Sequence, residues 1–290
     1  MERIRLTLPE ARALLPERRP DTHKGSYGRL LVIAGSARMT GAAILCCRAA
    51  YRSGVGLAEA AMPEGSTLPL QAAVPEAILR PYSAEIPYLS FEGADAVVFG
   101  PGIGTETYAA DMFSQLLQGL PAKVPLLVDA DGLNLLALHP ELSAQLRARG
   151  GNTLLTPHPG EASRLLGLSV GEVKALGEEA ALRIAGRFRA TVILKTAPAV
   201  CVTEYARVYE NPTGNNGMAT AGSGDVLAGV CGALLAQGLS PEEAAVLGIY
   251  FHGEAGDRAA QKIGRTGLMA SDIIENLRLE KSESWNSITA

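Results

Sequence analysis

Residues 215–238 read NNGMATAGSGDVLAGVCGALLAQG, and the only charge in this stretch is Asp225, at the end of the turn Gly-Ser-Gly-Asp. Two glycines around Ser223 let backbone N–H groups come close to a ligand. Val226, Leu227, Val230, Leu234 and Leu235 follow at helical spacing, so the positive end of the expected helix points at the turn. Such a turn binds a phosphate or stabilises a developing anion. A carboxylate beside it has two readings. It takes a proton from a hydroxyl while the amides hold the phosphoryl group under attack, or it simply decorates a helix N-terminus, where carboxylates are favoured.

A second acidic pair, Asp129 and Asp131, lies in VDADGLN. Paired carboxylates hold magnesium together with water and phosphate oxygens; they also cap helices, with Asn134 bonding locally. His252 falls in a helical segment and reads as a packed or capping residue, while His23 and His139 have no supporting constellation. Cys46, Cys47, Cys201 and Cys231 fit neither a zinc site nor a disulfide framework, and are expected as reduced core cysteines. No GxxxxGK[ST] loop occurs. No GxGxxG turn follows the first strand either, so a Rossmann dehydrogenase has little support.

These residues need a scaffold, and the chain supplies alternating strands and helices. RLLVIAG (29–35), VGLAEAAM (55–62), ADAVVFG (94–100), VPLLVD (124–129), NTLLT (152–156) and TVILK (191–195) are apolar runs expected as strands, and 199–211 as a hairpin. Helices are expected over 40–54, 105–118, 171–189, 241–260 and 270–279, besides those following Asp131, the TPHPGE turn and Asp225. Continuous apolar strands alternating with helices predict an α/β fold with a mostly parallel sheet covered on both faces, and a site at the carboxyl ends of the strands. Residues 1–28 are charged and proline-bearing and read as an irregular arm with one short helix; 29–290 reads as a single domain.

At 290 residues and 47% hydrophobic, the chain can bury a sizeable α/β core. A net charge of −4 leaves no basic excess for nucleic acid. The N-terminal MERIRLTLPEARALLPERRP lacks the apolar region of a signal peptide, and no run approaches a membrane span, so a cytoplasmic protein is expected.

The G-x-G-D turn at a helix N-terminus resembles the ribokinase-like superfamily. Within it, five segments resemble the ADP- or ATP-dependent NAD(P)H-hydrate dehydratase family. They are 24–57, FGPGIG (99–104), VDADGLNLL (128–136), LLTPHPGEASRLLG (154–167) and NGMATAGSGDVLAGVCGALLAQG (216–238). FHGEAGDRAA (251–260) and ASDII (270–274) resemble the closing segments, so the likeness spans nearly the whole chain in order.

The resemblance implies a ribokinase-like fold and a repair reaction. NADH or NADPH hydrated on the nicotinamide ring (NADHX, NADPHX; S epimer) is phosphorylated on the added hydroxyl by ADP or ATP, with Mg2+. Phosphate then leaves, giving back the dinucleotide with AMP or ADP. ADP is the favoured donor. Asp225 would be the base and face the ring hydroxyl. Ala42, Ala43 and Gly104 would lie against the dinucleotide, with helix packing and a plain turn as the bland alternatives. Asp131 would lie near the substrate. His158, held between Pro157 and Pro159, would serve a polar ligand or a structural turn. Glu161 would organise magnesium through water or begin a helix.

Lys195, Thr196, Ala197, Pro198, Ala199, Asn215, Gly222 and Gly224 would surround the nucleotide. Lys195 either neutralises phosphate charge or faces solvent at a strand end. Thr196 stands where the family commonly has glycine and Ala199 where threonine is frequent, which bears on nucleotide choice and affinity. The alternative is a kinase of the same superfamily acting on a vitamin-precursor alcohol. The resemblance also implies a homo-oligomer, with a tetramer favoured, and an NAD(P)H-hydrate epimerase in the pathway. The 28 residues before the first strand are too few for that domain, so the epimerase is expected as a separate chain.

Overall fold

Apolar runs of this kind satisfy their backbone groups by pairing, and the computed structural model, which describes residues 3–83 and 90–281, gathers them into one ten-stranded sheet. In chain order the elements begin with β1 (Arg3–Ile4), α1 (Leu8–Ala13), β2 (Arg29–Ile33), α2 (Thr40–Arg52), β3 (Leu57–Pro63), α3 (Thr67–Ala73) and β4 (Ile78–Tyr82). Then come β5 (Ala96–Phe99), α4 (Thr107–Gly119), β6 (Leu126–Val128), α5 (Asp131–Leu138), α6 (Pro140–Ala148), β7 (Thr153–Leu155) and α7 (Pro159–Leu166). The chain continues through α8 (Val170–Leu176), α9 (Glu178–Phe188), β8 (Thr191–Leu194), β9 (Val200–Val202), β10 (Val208–Glu210), α10 (Ser223–Ala236), α11 (Pro241–Ile263) and α12 (Ala270–Glu275). The strand order is β1-β10-β9-β8-β7-β6-β5-β2-β3-β4, and only the pairings of β9 are antiparallel.

Strand side chains alternate between two cores. Leu30 and Val32 of β2 enter one and Leu31 and Ile33 the other; β5 divides Ala96 and Val98 from Val97 and Phe99 in the same way. The first core is closed by α2, α10, α11 and α12, the second by α4 through α9. All four cysteines are free and buried, as expected.

α10 is apolar all round, and every residue from Val226 to Ala236 is buried. Its glycines permit this. A Cβ on Gly229 would collide with the Cys46 backbone of α2, and one on Gly232 would stand 2.5 Å from Val98 of β5. The turn 222–225 is therefore mounted on a helix wedged between the sheet and α2.

Two expectations need correction. The stretch 1–28 is more than an irregular arm, because Arg3 and Ile4 pair in parallel with Val208 and Tyr209 and extend the sheet. The long helix expected over 171–189 is two helices, broken at Gly177, whose φ of 55° ends α8 and opens α9. Elements α3, β4 and α6 carry short or mixed patterns and were not anticipated. Residues 282–290 of the expected domain lie outside the described residues.

Candidate active site

The site is built from turns at the carboxyl ends of β5, β6, β7 and β8 and from the start of α10. At the end of β6 the chain turns through Ala130, a non-glycine residue at φ 50° and ψ −116°. That strained backbone sits between the two carboxylates, and they part company there. Asp129 is 1% exposed and accepts a hydrogen bond from Lys195 Nζ at 2.7 Å. Asp131 Oδ2 accepts from the Gly104 amide at 2.9 Å, and its Oδ1 accepts from Asn134 at 3.2 Å. Asp131 thus fastens the glycine loop after β5 to the loop after β6.

Lys195 is no solvent-facing lysine. Its ammonium also stands 3.8 Å from Glu161 Oε2. Burial pulls its pKa down, but Asp129 and Glu161 outweigh that and hold it above the ordinary value. Glu161 is buried, which pushes its carboxyl up; hydrogen bonding to His158 and the charge of Lys195 leave it below the usual range.

His158 is the N-cap of α7. Its Nδ1 accepts from the amides of Gly160 and Glu161, while Glu161 Oε2 accepts from the His158 amide at 2.7 Å. The TPHPGE turn is thus a capping box made with an imidazole, its Nε2 3.2 Å from Glu161 Oε1.

At the start of α10, Gly222 adopts φ 85°. The Ser223 amide donates to Thr220 O and the Val226 amide to Gly222 O. Between them, the amides of Gly224 and Asp225 have no backbone acceptor outside the helix among the described residues. A Cβ on Gly224 would lie 3.3 Å from Lys195 Nζ and 3.8 Å from Asp129 Oδ2, so free amides, ammonium and buried carboxylate converge there. Asp225 has its pKa pushed up to about 7, first by burial and then by Asp129; Lys195 opposes, while Asp131 and Glu161 add to the rise.

A cavity of about 1090 Å³ opens beside this point. Lys195, Thr196, Ala197, Pro198, Ala199, Asn215 and Gly224 all line it, so all but one of the residues expected around the nucleotide share one wall. Gly222 is the exception. A Cβ there would face Leu45 and Ala270, with Asp225 Oδ2 at 3.9 Å, on the Asp225 side of the turn. Asn215 shapes the wall, donating to Asp257 and accepting from the Gly217 amide. Ala43 is fully buried in the core, backbone included, and so is not open to a ligand as expected; Ala42 is partly exposed.

Asp129 entered the sequence reading only as half of an acidic pair that holds magnesium or caps a helix, and Ser223 was not singled out, though it lay inside a motif that was. His252, set aside as a packed residue, is buried and also lines the cavity. Among the described residues no cluster of three or more His, Cys, Asp or Glu could cage a metal. Asp129 keeps Oδ2 free of Lys195, and Glu161 is tied to its cap. Such a donor set suits an ion that brings phosphate and water ligands with it.

The family model described as NAD(P)H-hydrate dehydratase matches residues 30–279. The chain belongs to the NAD(P)H-hydrate dehydratase family. It is 40% identical to a bifunctional NAD(P)H-hydrate repair enzyme of Moorella thermoacetica over 94% of this chain and 52% of the relative. It is also 40% identical to an ADP-dependent (S)-NAD(P)H-hydrate dehydratase of Neisseria meningitidis, over 88% of this chain and 86% of that one. Among solved structures it resembles the ADP/ATP-dependent NAD(P)H-hydrate dehydratase of Bacillus subtilis co-crystallised with ATP and Mg2+. The TM-score is 0.81 at 28% identity, over 93% of this chain and 95% of the other. The architecture is ribokinase-like, as the sequence implied. The chain spans about half the length of the first curated relatives that it matches. No helix among the described residues is long and apolar enough to cross a membrane.

Proposed function

We propose that this member of the dehydratase family carries out the nucleotide-dependent dehydration of hydrated NADH and NADPH, acting on the S epimer. The observation that carries the proposal is the pairing at the start of α10 of a carboxylate whose pKa is raised to about 7 with two uncommitted amides at the mouth of a large cavity. A base with a pKa near working pH is suited to proton abstraction, and fixed amides are suited to transferring charge.

In the first step Asp225 takes the proton of the ring hydroxyl. The hydroxyl oxygen forms a bond to the terminal phosphorus of the nucleotide. The phosphorus–oxygen bond to the rest of the nucleotide breaks, and its electron pair stays on the departing phosphate. The Gly224 and Asp225 amides and Lys195 receive the phosphoryl oxygens. In the second step the carbon–oxygen bond breaks toward phosphate, and loss of a ring proton restores the double bond. The nucleotide lies in the cavity walled by 195–199, Asn215 and Gly224. The dinucleotide lies against Ala42, Gly104 and the turn held by Asp131. Glu161 stands behind Lys195 at 3.8 Å, and His158 acts chiefly as cap. Mg2+, which would be held by nucleotide phosphates and by water on Asp129 and Glu161, neutralises phosphate charge when bound.

The relatives' descriptions support this function over the vitamin-precursor kinase: they name repair enzymes and dehydratases, one of them ADP-dependent. ADP is accordingly our assignment for the donor. The partner epimerase acts as a separate step, and a homotetramer is the assembly that light scattering would check. The function is tested by mixing the protein with hydrated NADH, Mg2+ and either ADP or ATP, and following reduced-nicotinamide absorbance. Recovery with release of inorganic phosphate is expected, faster with ADP. A stable phosphorylated product would indicate a kinase instead.

A further inference from the structure

Ser223 and His252 have no part in the steps above, yet both line the nucleotide cavity. His252 lies on α11 and is 8% exposed, and its Nε2 stands 3.4 Å from Ser223 Oγ. Burial draws its pKa down to about 4; the Ser223 backbone opposes the fall and Lys195 assists it. The imidazole is therefore neutral at physiological pH, with one N–H and one lone pair. With its proton on Nε2, the ring donates across this 3.4 Å contact and Ser223 Oγ accepts. A serine hydroxyl that receives this hydrogen bond keeps its own O–H free to donate.

The placement of Ser223 sets what it meets. Ser223 and Gly224 line the cavity, whereas Asp225 does not. In phosphoryl transfer the attacking and leaving oxygens lie roughly in line on opposite sides of phosphorus. Asp225 serves the attacking oxygen, so a donor on the cavity wall is on the leaving side.

From this geometry we propose that Ser223 is a catalytic residue whose hydroxyl donates to the departing phosphate of the nucleotide, and that His252 is the positioning residue that aims it. No proton is transferred by Ser223. As the phosphorus–oxygen bond breaks, its electron pair collects on the leaving oxygen, and the hydrogen bond from Oγ strengthens with that charge. A donor whose bond strengthens only then raises kcat more than it tightens nucleotide binding.

The inference rests on the dehydratase activity proposed above, and the test separates the two. Wild-type protein is assayed first with hydrated NADH, Mg2+ and ADP or ATP; an inert wild type ends both. With an active wild type, Ser223→Ala is expected to lose about 10- to 100-fold in kcat, with KM for the nucleotide changed by less than about threefold. His252→Ala is expected to lose a comparable factor. The double variant should be no worse than Ser223→Ala alone, because the imidazole acts only through the hydroxyl. His252→Gln retains an N–H donor and should recover part of the loss. Melting temperatures identify a variant that fails to fold, and if His252→Ala does so, Ser223→Ala decides alone. A Ser223→Ala enzyme with kcat within about twofold of wild type overturns the proposal while leaving the dehydratase function standing. So do losses that multiply in the double variant.

Discussion

The burial of Asp225 suits the base proposed here but costs stability. Folded, it keeps its proton to about pH 7; unfolded, it releases it near the ordinary 3.8. Between those values the unfolded state binds fewer protons, so this group's contribution to stability falls as pH rises from about 4 to about 7. Asp225→Asn removes the group. It is expected to abolish most turnover and yet to melt above wild type at pH 8, with the gap narrowing toward pH 5; paired melts at the two pH values check this. In the wild type, kcat/KM should rise with pH through an ascending limb near 7, because the free enzyme's base must be ionised. At this scale the sequence was legible where chemistry is contiguous. Gly-Ser-Gly-Asp declares a turn, a helix start and a carboxylate beside it in four residues. The pairing of Lys195 with Asp129 spans 66 positions and leaves no local mark. His252 is worse placed, since a lone histidine in a helical segment looks the same whether it faces a core or a cavity.

Among the elements, α10 and its fit against α2 decide where the turn stands. Gly229→Ala would gain about 1 kcal/mol of helix propensity. The new Cβ, however, meets the backbone carbonyl of Cys46, which no rotamer change can move. Overpacking typically costs about 1–3 kcal/mol, so a net loss of stability is expected in a urea titration, together with weakened turnover as the turn shifts away from Lys195. The strands around this helix were readable because both their faces are buried and the runs are continuously apolar. β1 was not, since two residues carry no period and their pairing with β10 is set by tertiary contact. The break at Gly177 was missed for another reason: apolar spacing continues across it, and only the backbone angle reveals the turn.

For the whole molecule, the fold places one large cavity beside the carboxyl ends of the strands, with Ser223 and Gly224 in its wall. A ligand that binds only the folded chain stabilises it by about 2.7 kcal/mol at a hundredfold excess over Kd. Mg2+ with ADP or ATP should therefore raise the melting temperature by about 5 °C in the absence of any dinucleotide. No shift with either nucleotide would count against the cavity as their site. The overall architecture was legible because its alternation of strands and helices is written along the chain. Which loops meet across the strand ends is a property of strand order, which no single segment records.

α10 is walled in by sheet, α2 and α11, so no local opening can admit water to its middle. Its amides from Val230 to Leu235 should exchange with deuterium only when the entire domain opens, and should be the slowest in the protein. The Gly224 and Asp225 amides, proposed above to receive the phosphoryl group, sit at the start of that element. If the proposed reaction holds, turnover proceeds around a post fixed by the buried body of that helix.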